Sequence, residues 1–197
     1  MEKDRYPLFC LIIYILAFIL CAINPWYFQD WALESILPLL LVVLLVFFYK
    51  KLKLSNTSYT LILIFLIFHT IGSHYTYSNM PLTENLFGLT RNYYDRIVHF
   101  LFGLLMYLPI SEFSKRFFKK KSKIRHSITI VIIIVLSGFV FELMEGAVYL
   151  FMHNAELMRA YLATQGGGVI DDSLKDIFVK FIGGLISAVF FYNKKIK

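Results

Sequence analysis

Long apolar runs separated by short polar segments dominate the pattern of this 197-residue chain. Six of these runs are close to, or longer than, the roughly 20 residues that a helix needs to cross the hydrocarbon core of a membrane. They predict spans at about residues 8–24, 31–49, 58–76, 94–112, 127–151 and 173–192. Because no linker or change of composition divides them, we expect one polytopic membrane domain over residues 1–197. The predicted fold is an all-α integral membrane protein, a bundle of six transmembrane helices.

The composition supports this interpretation. Hydrophobic residues make up 58% of the chain and charged residues only 17%, and the mean hydropathy is +0.66. A soluble domain of this length needs much less apolar material. No small-x-small cleavage site follows the first apolar run, so we expect a retained span there and not a signal peptide. Cys10 and Cys21 would lie about 16 Å apart along one helix, too far to form a disulfide with each other.

The distribution of basic residues predicts the orientation. The N-terminus, the second and fourth loops and the C-terminus together hold 15 of the 20 Lys and Arg residues. Positively charged loops favour the cytoplasmic side, so both termini are predicted to be cytoplasmic, in a protein of the cell membrane. The net charge of +7 is thus a topology signal. Nucleic acid is not an expected partner, because the positive charge is divided among short loops beside the spans; the lipid bilayer is.

Ionisable residues concentrate in the outer halves of four predicted spans, facing the extracytoplasmic side. The spacing is i, i+4 for two pairs and i, i+3 for a third, so that each pair shares one helix face. Candidate catalytic groups are Asp95, His99, Glu142, Glu145 and Asp176, and candidate binding residues are His69, His74, Arg96, Gln165, Asp172 and Lys180. A charge within a span costs about 2.5–3.5 kcal/mol on insertion scales, so these groups are expected to face one another or a wet cavity.

The balance of charge in this cluster suggests a cation. Two cations, Arg96 and Lys180, stand against five carboxylates, those of Asp95, Glu142, Glu145, Asp172 and Asp176. With the histidines counted as neutral, this leaves a formal excess of three negative charges in a medium of low dielectric constant. Raised carboxyl pKa values, protonated histidines or a bound cation would each correct it. A divalent metal held by His99, Glu142, Glu145 and Asp176 is one hypothesis. Imidazole with carboxylate suits Zn, Mn or Fe, and carboxylates alone suit Mg or Ca.

Two further readings bear on these residues. Buried acid–base pairs often only hold helices together, and a lone histidine such as His69 more often packs or forms a hydrogen bond than binds metal. The segment TQGGG, which includes Gln165, precedes the sixth span and lacks the Gly-Lys-Ser/Thr of a phosphate-binding loop. It is either a hairpin loop or a lining of the polar cluster, where a helix N-terminus could help to hold a phosphate-bearing headgroup.

Four motifs carry a resemblance to a known family. HTIGSHYTY at 69–77, NYYDRIVHFLFG at 92–103, FELME at 141–145 and YLATQG at 161–166 resemble, in this order, the YjdF-type inner-membrane proteins. More distantly, DRIVHF, ELME and DSLKDIFVKFIG are similar to the VanZ-like pattern, with Lys180 and Glu145 in place of that pattern's Asn and Gln. VanZ-like proteins are associated with tolerance to teicoplanin. The resemblance implies an envelope membrane protein with its polar site in these motifs.

Three function classes therefore remain open. The first is an envelope protein that binds, or acts on, a lipid or isoprenoid-phosphate headgroup with the help of a metal ion. The second is a non-catalytic structural or accessory membrane protein whose cluster holds the helices together. The third is a proton-coupled carrier of small solutes in which the same carboxylates titrate. The lack of an internal repeat argues against the carrier.

Overall fold

A computed structural model describes residues 5–83, 92–115, 122–152 and 169–192, and the regular structure in these residues is helical. The helices are α1 (Arg5–Ala22), α2 (Phe28–Phe47), α3 (Tyr49–Leu52), α4 (Asn56–His74), α5 (Tyr94–Ser114), α6 (Lys123–Met152) and α7 (Val169–Tyr192), with a 3-10 turn at Pro81–Thr83. The all-α prediction is confirmed, and each predicted span overlaps one long helix. The ends differ by a few residues because helices extend into the polar flanks that a hydropathy pattern leaves out.

Five of the described helices are long and apolar enough to cross a membrane: α1, α2, α4, α5 and residues 123–144 of α6. Their outward faces carry large apolar side chains, such as Leu16 and Leu20 of α1, which are 57% and 66% exposed. Such faces suit lipid contact and not water. Helix α7 has 24 residues, but Lys175, Asp176 and Lys180 lie in its first half. A sixth crossing therefore stays a prediction, as does the cytoplasmic position of the termini.

The chain divides into two compact units. The first comprises Met1–Val98 and Leu108–Lys120, and the second His99–Tyr107 and Lys121–Lys197. Helix α5 contributes residues to both, since its middle section belongs to the second unit and its two ends to the first. The prediction of one domain over the whole chain remains a prediction.

In the first unit, helix α4 packs against both α1 and α2. Ile62 and Leu66 of α4 and Tyr14 of α1 are almost fully buried. Helix α4 begins at a polar cap, where the Ser55 side chain accepts a hydrogen bond from the backbone N–H of Ser58 at 3.1 Å. Such a cap satisfies one of the N–H groups that the first turn of a helix leaves without a partner. The Ser55 cap thus sets where α4 begins, and the apolar face of α4 sets how the helix packs.

In the second unit, α6 packs along α7. Ile130 and Ile134 of α6 are fully buried, and Ile134 lies beside Gly184 of α7. Tyr107 of α5 is also buried, and its hydroxyl donates a hydrogen bond to Oγ of Ser127 at 2.9 Å. A buried tyrosine needs such a partner for its hydroxyl, so this pair fixes the register between α5 and α6.

Two glycines allow the backbones of α5 and α7 to touch. A Cβ atom at Gly103 would fall on the carbonyl oxygen of Lys180, and one at Gly183 would fall on the carbonyl oxygen of Phe100. Small residues at such crossings are typical of membrane helices, which associate through close packing. Helix α7 is thereby held close to the part of α5 that carries His99.

Candidate functional site

Four of the predicted site residues come together in the second unit, each delivered by a helix. His99 lies on α5, Glu142 on α6, and Asp176 and Lys180 on α7. The two α7 residues are four positions apart and so share one face. The side chains of all four residues are only 4–8% exposed. We refer to these four residues as the polar centre.

Two residues of the polar centre form an ion pair. Nζ of Lys180 donates a hydrogen bond to Oε1 of Glu142 at 2.9 Å. The same ammonium lies 5.2 Å from the centroid of the Phe141 ring, a distance suited to a cation–π interaction. Charge-assisted hydrogen bonds of this length are strong. Glu142 and Lys180 therefore neutralise each other.

The imidazole of His99 lies between two carboxylates. Its Nδ1 is 3.6 Å from Oε1 of Glu142, and its Nε2 is 3.9 Å from Oδ1 of Asp176. Both distances exceed that of a direct hydrogen bond. With His99 neutral, the four side chains carry one net negative charge, because two carboxylates face one ammonium. Protonation of His99, or a cation beside it, would remove that charge.

Two residues that build the polar centre were missed by the sequence reasoning. A Cβ atom at Gly138 would lie 2.7 Å from Cδ of Lys180, so this glycine makes room for the lysine stem. The ring of Phe141 meets that of His99 edge to face, with centroids 6.1 Å apart. Gly138 lies four residues before Glu142 on α6, and this helical spacing was the signal that could have indicated it.

The other candidates of α5 and α7 lie about one helical turn before the polar centre along the chain: Asp95 and Arg96 precede His99, and Asp172 precedes Asp176. Asp95 comes one turn before His99, and the ligand atoms of these two side chains lie within 4.8 Å of one another. Arg96 and Asp172 are partly buried. Glu145 is on α6, but the structure does not describe its side chain. Gln165 lies outside the described residues.

Two predicted binding histidines belong to the first unit and contact main-chain carbonyls there. His69 is 4% exposed; its Nε2 lies 3.1 Å from the carbonyl oxygen of Glu34, and the hydroxyl of Tyr77 lies 2.8 Å from its Nδ1. Nδ1 of His74 lies 2.8 Å from the carbonyl oxygen of Cys21. These contacts fit the expectation that a lone histidine in a span serves packing and hydrogen bonding. Tyr77 was not predicted as a partner.

Comparison with known proteins identifies the family. A family of membrane proteins, described as "Predicted membrane protein (DUF2238)", matches residues 6–196. This chain belongs to that family. It is also similar to the inner membrane protein YjdF of Escherichia coli strain K12, with 27% identity over 163 residues, which cover 81% of this chain and 76% of that protein. No solved structure matches the chain.

The predicted YjdF-type resemblance is thus confirmed. As a DUF2238 member with several helices fit to cross a bilayer, the chain is a multi-pass protein of the cell membrane. The VanZ-like resemblance and the side of the membrane that the polar centre faces remain predictions.

Proposed function

We propose that the polar centre binds a divalent metal ion and that this DUF2238 protein uses the ion to bind, or act on, a phosphate-bearing headgroup of an envelope lipid. The topology that goes with the proposal has six spans, both termini in the cytoplasm and the polar centre in the outer half of the membrane. The observation that carries it is the position of the His99 imidazole beside the Asp176 carboxylate, with both side chains buried.

The separation of the two ligand atoms supports the metal. Zn²⁺ lies about 2.0–2.1 Å from nitrogen ligands and about 2.0–2.2 Å from oxygen ligands, so a nitrogen and an oxygen on one ion are about 3.4 Å apart at a tetrahedral angle and at most about 4.3 Å apart. Nε2 of His99 and Oδ1 of Asp176, at 3.9 Å, are within this limit. Asp95, whose ligand atom lies within 4.8 Å of that of His99 on the same helix, is a further ligand after a small side-chain rotation. A mixed imidazole and carboxylate set suits Zn, Mn or Fe.

Charge supports it too. Glu142 is already paired with Lys180 at 2.9 Å, so we leave it out of the ligand set and keep it as an acid–base candidate. Lys180 is then a positioning residue for Glu142. A metal ion beside the ammonium would make the centre attractive to a phosphate oxygen, as in other sites where cations stabilise phosphoryl charge. Glu145 keeps its predicted place as a second acid–base group.

A structural role is the second candidate, and a specific observation favours it. The polar centre draws one residue or more from each of α5, α6 and α7, and the stem of Lys180 fills the space left by Gly138. Interhelical polar contacts of this kind hold membrane bundles together without catalysis. In that case the protein is an accessory component of the membrane. The carrier hypothesis would instead require uptake into proteoliposomes driven by a pH gradient.

Metal content distinguishes the first two roles. The wild-type protein, His99→Ala and Asp176→Asn are purified from cells grown with trace metals and examined by elemental analysis and thermal unfolding. His126→Ala and Asp30→Asn serve as matched controls that remove an imidazole and a carboxylate outside the polar centre. We expect stoichiometric metal in the wild type and both controls, and loss of metal in the two site variants while they remain folded. A metal-free wild type whose two site variants unfold early would establish the structural role instead.

A further inference from the structure

The first unit contains an apolar cavity of about 220 Å³ between α1, α2 and α4. Its walls come from the first half of α1, the last part of α2 and the first half of α4, with Leu11, Leu45 and Leu63 among the lining residues. These segments all lie toward one end of the three helices, because α2 runs opposite to α1 and α4. From Pro7 to Tyr14 the cavity follows α1 for about 10 Å at 1.5 Å per residue.

Aromatic side chains mark the end of the cavity that lies near the helix termini. Tyr49 and Tyr59 both line it, and their ring centroids are 6.3 Å apart. Tyr49 is partly buried, which suits the membrane–water interface, where a tyrosine ring is in an apolar layer, whereas Tyr59 is buried. Tyr49 begins the four-residue helix α3, which ends at Leu52 and is followed by Lys53 in a left-handed conformation with φ of 40°. The cavity therefore extends from headgroup level toward the hydrocarbon core.

Exposed basic residues surround this same end. Arg5 comes two residues before Pro7, which lines the cavity, and Lys50, Lys51 and Lys53 follow directly after Tyr49. All four are exposed. Lys51 is held over the ring of Phe48, with Nζ 5.8 Å from its centroid. Clusters of Lys and Arg next to a membrane span attract anionic lipid headgroups.

We propose that this cavity is a binding site for an anionic glycerophospholipid, whose acyl chain occupies the apolar walls and whose headgroup contacts Arg5, Lys50, Lys51 and Lys53. The apolar walls favour a hydrocarbon chain over water or a polar solute. The basic rim selects a negative headgroup over a zwitterionic one. The cavity volume of about 220 Å³ is smaller than one turn of a helix about 10 Å across and 5.4 Å long, which occupies roughly 400 Å³, so a helix of a protein partner does not fit. This lipid site is independent of the function proposed for the polar centre.

Native mass spectrometry of the full-length protein in detergent tests the site. The protein is mixed with equal amounts of a phosphatidylglycerol and a phosphatidylethanolamine that have the same acyl chains. We expect adducts of the anionic lipid to dominate in the wild type. In Lys50→Gln/Lys51→Gln, the preference should fall roughly 10- to 30-fold, since each basic residue near an anionic headgroup contributes about fivefold in affinity. The control Lys123→Gln/Arg125→Gln removes two exposed charges elsewhere and should keep the preference.

A second pair of variants tests the cavity itself. Leu63→Trp places a large side chain in the space between the helices and should abolish adducts of both lipids. Leu16→Trp is the matched control, because Leu16 is 57% exposed and does not line the cavity. Equal binding of the two lipids by the wild type, full retention of lipid by Leu63→Trp, or a lipid-free dimer in place of adducts would each overturn the proposal. If Leu63→Trp fails to fold, the two charge variants still decide the outcome.

Discussion

Removal of the Lys180 ammonium should destabilise this protein strongly, because it leaves Glu142 buried without its counter-charge. At an effective dielectric constant of about 20, two unit charges 2.9 Å apart attract by about 6 kcal/mol. The His99 ring, 3.6 Å from the same oxygen, can take over part of that compensation by gaining a proton. We therefore expect Lys180→Met to lower the free energy of unfolding by about 3–5 kcal/mol, the usual cost of breaking a buried ion pair from one side.

The double variant Lys180→Met/Glu142→Leu separates charge from packing. It removes both charges, and Met keeps the long stem that packs against Gly138. Replacing a buried pair with apolar residues of similar volume is often nearly neutral, so the double variant should be at least about 2 kcal/mol more stable than Lys180→Met alone. Lys175→Met, an exposed lysine on the same helix, should change stability by no more than about 0.5 kcal/mol.

The measurement is unfolding of the purified protein in mixed micelles with increasing sodium dodecyl sulfate, followed by far-ultraviolet circular dichroism. Two results would refute the reasoning. One is Lys180→Met within about 1 kcal/mol of the wild type, which would mean that the ammonium is not desolvated. The other is a double variant no more stable than Lys180→Met, which would mean that volume and not charge dominates at this position.

Three other predictions concern packing, a hydrogen bond and topology. Gly183→Ala should lower the free energy of unfolding by about 1–3 kcal/mol, because the new Cβ atom would overlap the backbone of α5. Gly146→Ala adds a Cβ atom in open space and should be neutral or stabilise the protein by up to about 1 kcal/mol. Both variants are measured by the same unfolding assay. Tyr77→Phe should cost about 1 kcal/mol through loss of its bond to His69, and Tyr75→Phe should not; an equal effect of the two would contradict the assigned bond. A green fluorescent protein fused to the C-terminus should fluoresce and an alkaline phosphatase there should be inactive, and the reverse would place the C-terminus outside.

Much of the local structure was predictable because a helix in lipid must satisfy its backbone hydrogen bonds within itself. An apolar run of about 20 residues has few other solutions, so six runs gave six long helices with ends displaced by only a few residues. The i, i+4 spacing of Asp176 and Lys180 likewise placed both on one face of α7 before any tertiary contact was known. The same spacing placed Asp95 one turn before His99.

The pairing of acids with bases was not predictable. In the structure Lys180 contacts Glu142, 38 positions away in the chain, and His99 lies between Glu142 and Asp176. The charge count from the sequence summed all the carboxylates together, and so it did not show that Glu142 is neutralised by Lys180. His69 was predicted as a binding residue; in the first unit it contacts Tyr77 and the backbone of α2, and its Nε2 lies 3.9 Å from Oε2 of Glu34.

By itself, the sequence determined the class of the protein, its helices and which residues share a helix face. These follow from hydropathy and from the 3.6-residue period of the helix, which act over short stretches of chain. Only the tertiary structure decided which faces meet. The close approach of α5 and α7 at Gly103 and Gly183 is one such contact, and the hydrogen bond from Lys180 of α7 to Glu142 of α6 is another. Close packing between residues 80 positions apart in the chain depends on the shape of both surfaces at once, and no local pattern specifies it.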